Sequence, residues 1–89
     1  MEFLTEDQFS VAFQKRLKET RLERQMTHGQ MAHALRIKED AYKKYENRPG
    51  SAFPIYLLPR LVFITSRPYA YWLDGQLASK TVLSLVKNL

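Results

Sequence analysis

Two Thr-x-x-Gln motifs, Thr5–Gln8 and Thr27–Gln30, each stand directly before a stretch whose apolar residues recur at helical spacing. In such a capping box each side chain satisfies an orphan backbone N–H of the other residue, so the two motifs fix where two helices start. Glu6 and Asp7 fall in the first turn of the first helix, where its dipole favours anions, and Leu4 and Phe9 take the two staple positions around it. Phe9, Phe13 and Leu17 then form one buried stripe, which predicts a helix from Glu6 to about Gln25. After the second box, Met31, Ala32 and Leu35 mark a short buried face. A third segment follows with almost no linker, its apolar residues Ile37, Ala41, Tyr42 and Tyr45 again at helical spacing.

The second half is punctuated by proline. "NRPGSAFP" reads as a loop. Pro59 lacks an N–H and is tolerated only in a first turn, so a fourth helix should begin near Tyr56 or Leu57. Pro68 opens a short fifth helix with Gly75 beyond its end. The remaining "QLASKTVLSLVKNL" carries Ala78, Val82, Leu85 and Leu89 on one narrow seam. No strand pattern or repeat appears. The expected fold is all-α: a compact five-helix helix-turn-helix bundle over residues 1–75, with an amphipathic segment at 76–89 able to form a short sixth helix.

Composition narrows the function. Of 89 residues, 45% are apolar and 12% aromatic, enough for one small domain with its own core. There is no cysteine, which removes disulfides and thiolate metal sites. His28 and His33 lack a third ligand nearby, so no metal or other cofactor is expected, and no nucleophile with a supported triad suggests an enzyme. No apolar run approaches the ~18 residues of a membrane span. "MEFLTEDQ" is acidic and unlike a secretion signal. A cytoplasmic, nucleoid-associated protein is the expectation. Fourteen Lys plus Arg against nine Asp plus Glu, a net charge of +5 and a pI near 9.7 favour an anionic partner, nucleic acid ahead of an acidic membrane. Lys15, Lys18 and Arg24 read as a solvated face of the first helix with a phosphate contact toward its start. Tyr69, Tyr71 and Trp72 read as core.

Residues 27 to 46 form two short helices separated by a tight turn and packed on a third, the geometry of a helix-turn-helix. Ala32 lies where the two approach, Ile37 anchors the turn, and Tyr42 and Tyr45 point inward. Glu39, Asp40, Lys43 and Lys44 are left outward at i, i+4 spacing. With "FQKRLKETR", "MTHGQMAHAL", "KKYEN", "LLPRL" and "YWLDG", the chain from about residue 10 to 75 resembles the XRE family, the Cro and phage-repressor type of DNA-binding domain. That resemblance implies a five-helix bundle whose third helix enters the major groove, and an ion pair between Arg21 and Glu46 across the first and third helices. It also implies a DNA-contacting set of Thr27, His28, Arg36, Lys38, Glu39, Asp40, Lys43, Lys44, Asn47 and Arg48.

Three positions depart from the family pattern. His28 stands where Gln is usual, and can still donate to a phosphate. Arg36 stands where the turn usually has Gly; a left-handed backbone there would strain it by about 1 kcal/mol. The third helix starts after Lys38 instead of Ser or Thr, forfeiting a side-chain cap worth about 1 kcal/mol. Glu39 and Asp40 therefore admit two readings. They complement the dipole of an uncapped helix and precede Lys43 and Lys44 in the favourable order, or one of them accepts from cytosine N4.

The expected function is a sequence-specific DNA-binding transcriptional regulator, a small dimeric repressor acting by promoter occlusion on a palindromic operator, with Leu77, Ala78, Val82, Leu85 and Leu89 as the dimerisation seam. The length leaves no room for a sensor domain. Two rivals share the fold: an antitoxin that binds both its operator and a toxin, and a protein-interaction module that has lost DNA binding.

Overall fold

The computed structural model describes residues 3–73. Their elements are α1 (Glu6–Glu23), α2 (His28–Leu35), α3 (Glu39–Asn47), a 3-10 turn (Ile55–Leu57), α4 (Leu58–Thr65) and α5 (Tyr69–Leu73). The fold is all-α, five helices in a small bundle, with no strand among the described residues. None of these helices is long and apolar enough to cross a membrane. The segment 74–89, with Gly75, Leu77, Ala78, Val82, Leu85 and Leu89, lies outside the described residues.

Both capping boxes form. The Thr5 and Gln8 side chains each accept from the other's backbone N–H, at 3.2 and 2.9 Å, and Thr27 and Gln30 do the same at 3.1 and 2.8 Å. α1 stops two residues short of Gln25, because Gln25 is left-handed (φ 56°). From there Gln25 and Met26 N–H turn back onto the carbonyls of Leu22 and Arg21, a Schellman closure that uses otherwise orphaned acceptors. α2 ends the same way: Arg36 N–H donates to His33 O and Ile37 N–H to Ala32 O, both at 3.0 Å, with Arg36 left-handed at φ 61°, ψ 43°. The turn into α3 is thus a hydrogen-bonded reversal built without glycine. α4 begins later than Pro59 alone suggests, since Ile55–Leu57 form a 3-10 turn first and Pro59 falls at the second helical position. Pro68 sits just before α5 and accepts from Tyr71 N–H.

The core joins every helix: Phe13 and Leu17 of α1, Met31, Ala32 and Leu35 of α2, Tyr42 of α3, Leu58 and Leu61 of α4, and Trp72 of α5. Trp72 is fully buried between Phe13 and Tyr71, with ring centroids 5.6 and 5.1 Å away. Phe53 pins the α3–α4 loop on Phe13 and Tyr45. Of the aromatic trio expected in the core, Tyr69 is exposed instead, at the first residue of the short α5.

Arginines tie the bundle together at helix ends. Arg24 donates to Thr65 O at the end of α4, so it is bonded to the fold and not simply part of a solvated basic face. Arg60 donates to Leu35 O at the end of α2 (3.1 Å), and Arg16 to Tyr71 O in α5. Each places a cation where terminal carbonyls lack helical partners and the dipole is negative. Arg67 pairs with Glu23.

Arg36→Gly should relieve about 1 kcal/mol of left-handed strain, partly offset by the greater freedom of glycine in the unfolded chain. A rise of a few degrees in Tm is expected in a thermal melt followed by circular dichroism; a fall would mean that the Arg36 side chain contributes contacts worth more than the strain.

Candidate nucleic-acid interface

α3 is positioned from below by a buried ion pair. Arg21 Nε and Nη2 donate to both Glu46 carboxylate oxygens at 2.9 to 3.2 Å, and Arg21 Nη1 donates to Met26 O at 2.9 Å. The guanidinium thus holds α3 on α1 and also closes the α1–α2 turn. The side chains are 8% and 0% exposed, which takes this pair out of the class of weak surface bridges. Tyr42, one turn earlier on α3, is fully buried beside it. His28, the first residue of α2, brings Nε2 to 3.5 Å from Glu46 Oε1 and its ring to 6.1 Å from Tyr42.

The titration behaviour follows from this cluster. Burial pushes the Glu46 carboxyl up, but the hydrogen bonds from Arg21, the nearby Tyr42 hydroxyl and the charge of Arg21 outweigh it, leaving the pKa below the ordinary 4.5. The hydrogen bonds to Glu46 raise that of Arg21 against its own desolvation. Burial first, and the neighbouring Glu46 second, drive the Tyr42 hydroxyl upward. That hydroxyl has no well-formed hydrogen bond among the described residues, so the carboxylate beside it relies chiefly on Arg21.

With Tyr42 and Glu46 turned inward, α3 shows Glu39, Asp40, Lys43, Lys44 and Asn47 outward, flanked by exposed Lys38 and Arg48. Across the turn Arg36 is exposed as well. Thr27 is exposed, yet its hydroxyl is committed to the cap of α2. His28 is half-buried and directs one ring nitrogen to Glu46. Lys38 makes no side-chain cap. The ten residues named from sequence thus lie along the start of α2, the turn, and the outer side of α3.

The two acids are not equivalent. Glu39 Oε2 pairs with Lys43 Nζ at 3.2 Å. Its Oε1 lies only 2.5 Å from where a Cβ on Gly29 would be, so the carboxylate rests against the first turn of α2. Asp40, Lys44, Lys38, Arg36 and Arg48 carry no side-chain hydrogen bond or ion pair among the described residues. Sequence reasoning missed the Gly29 approach, although a glycine inside a helix, about 1 kcal/mol worse than alanine, was a usable signal. It also missed Arg60 on Leu35, which no local pattern could announce.

Removing one partner of the buried pair should be severe. Glu46→Gln or Arg21→Met is expected to destabilise by about 3–5 kcal/mol, whereas Arg21→Met with Glu46→Leu should recover most of that. The pH dependence has a defined sign. Because the folded pKa of Glu46 is depressed, its contribution is full above the unfolded value of 4.5 and is lost as pH falls through the folded value. Urea melts of the wild type against the double variant should therefore diverge as pH falls below 4.5, the wild type losing stability that the double variant keeps; equal acid sensitivity of the two would assign it to other carboxylates. In comparisons with family models, with curated proteins and with solved structures, nothing matches this chain.

Proposed function

We propose that the chain is a sequence-specific DNA-binding transcriptional regulator of the XRE type, a small repressor that acts as a homodimer by promoter occlusion. The observation that supports this most is the distribution of unengaged cations. Of the seven arginines, Arg16, Arg21, Arg24, Arg60 and Arg67 are bonded into the fold. The two that have no side-chain partner among the described residues, Arg36 and Arg48, flank α3 together with Lys38 and Lys44, likewise unpaired there. A short helix held rigidly from beneath, carrying polar groups outward and cations at its margins, suits a major groove bordered by two phosphate strands. A single small module contacts little DNA, which favours two copies on a palindromic operator.

A second reading, an antitoxin that binds its operator and a protein, is favoured by Ile55 and Phe63. They are 84% and 85% exposed, Ile55 in the 3-10 turn and Phe63 on α4. Large apolar side chains left this exposed suit a protein partner better than a phosphate backbone.

Duplex binding should be strongly salt-dependent. Each neutralised phosphate adds about 0.9 to the slope of log affinity against log salt, so four cations predict about −3.6 for one copy and about −7 for two. Electrophoretic shifts across a salt series read this slope, and the absence of any shift at low salt would eliminate the reading.

Val82→Asp with Leu85→Asp in the full chain should convert a dimer into a folded monomer with much weaker operator binding. Sedimentation of the variant decides. A dimer that survives would place the interface elsewhere, with Ile55 and Phe63 the next surface to alter.

A further inference from the structure

We infer that the two acids that open α3 divide the work, Asp40 reading a cytosine and Glu39 serving the contact between α2 and α3. The inference rests on the DNA-binding reading and names which acid carries its specificity. Glu39 has one carboxylate oxygen paired and the other packed against α2. Oε2 is 3.2 Å from Lys43 Nζ, and Oε1 lies against Gly29, the second residue of α2. Peptide N–H groups of a first helical turn lack helical acceptors and the dipole there is positive, so a carboxylate at that place is stabilised. Swinging Glu39 out to a base would forfeit both contacts. Asp40 has neither to lose. It is exposed, it follows Glu39 on α3, and among the described residues it has no hydrogen-bonding or ionic partner.

A carboxylate accepts and cannot donate. Among groove-edge partners, cytosine N4 suits it best, since the amino group is the only polar atom that cytosine presents there. Lys44 stands four residues after Asp40, exposed and also unpaired among the described residues. Four residues along a helix advance about 6 Å, close to two base steps of ~3.4 Å. An acceptor and a donor at that spacing fit a cytosine and a nearby guanine. The same arrangement explains why an anion is tolerated at a DNA-facing helix start. Glu39 is neutralised within the protein, and Asp40 alone confronts the nucleic acid, where its repulsion of phosphate disfavours non-specific complexes.

The test is selection of binding sites from a random duplex library at fixed salt, with the full wild-type chain, Glu39→Gln and Asp40→Asn. Both positions are exposed, and circular dichroism melts establish that each variant is folded. The wild type should enrich a motif containing a C·G pair that Asp40→Asn no longer selects. Affinity of that variant for the wild-type site should fall about 5- to 150-fold, while affinity for scrambled duplex rises. Glu39→Gln should keep the motif and raise affinity for selected and scrambled duplexes by a similar factor. Replacing the implicated cytosine by 2-pyrimidinone, which lacks the N4 amino group, should weaken the wild type and leave Asp40→Asn unaffected. A motif altered by Glu39→Gln alone, or unchanged in both variants, overturns the assignment while DNA binding stands. A wild-type chain that enriches no duplex overturns the DNA-binding reading and this inference with it.

Discussion

The outward face of α3 depends on the buried pair between Arg21 and Glu46. A nine-residue helix with no side-chain cap would not persist alone in water, because helix nucleation is unfavourable and so short a segment recovers little of it. What holds α3 is its inner face: Tyr42 fills the core, and Glu46 accepts three hydrogen bonds from a guanidinium that also fastens the α1–α2 turn through Met26 O. Hydrophobic residues at both positions would stabilise the bundle about as well. The ionic version adds direction. A bidentate fork fixes the angle of α3 relative to α1, which greasy packing leaves adjustable.

Net charge gives a poor picture of where this molecule is positive. Most of its arginines are bonded to carbonyls at helix ends or to acids, and so contribute to folding as well as to the charge of the surface. The cations left unengaged include Lys15 and Lys18 on α1, but the concentration lies around the α2–α3 turn. Arg24, expected on a solvated basic face, is exposed and also bonded to Thr65 O.

Helix starts were legible because their determinants are local. A Thr and a Gln three residues apart decide a cap without reference to the rest of the chain, and α1 and α2 begin where the boxes place them. The missing cap of α3 and the inward turn of Tyr42 follow from the same local reasoning. Helix ends were less legible. Gln25 and Arg36 adopt left-handed conformations that their residue types disfavour, stabilised by backbone bonds that form only once the following segment has docked. The Arg21–Glu46 pair was expected through family resemblance and not through periodicity, since neither residue breaks the pattern of its own helix. The separate fates of Glu39 and Asp40 were not legible at all. They depend on Gly29, ten and eleven residues earlier, coming close enough to receive one carboxylate and not the other.

Local rules are broken at several places, and their distribution bears on the proposed function. Left-handed non-glycine residues end α1, α2 and α4 alike, at Gln25, Arg36 and Ser66, so Arg36 by itself carries little weight. The α2–α3 unit differs in combining such a residue with two further departures, a glycine inside α2 and an N-terminal position on α3 that offers a lysine in place of a cap. Each lowers stability on its own. Together they give up local preference between residues 29 and 38 while the core beneath is packed. Departures of that kind collect where a surface is shaped for something other than folding. Here each one serves the outward face: arginine at the turn adds a cation, lysine at the cap position adds another, and glycine in α2 makes room for Glu39 and so leaves Asp40 as the unpaired acid. A pair of helices built only for stability would carry glycine at 36, serine or threonine at 38 and alanine at 29, and would present two fewer cations on this surface.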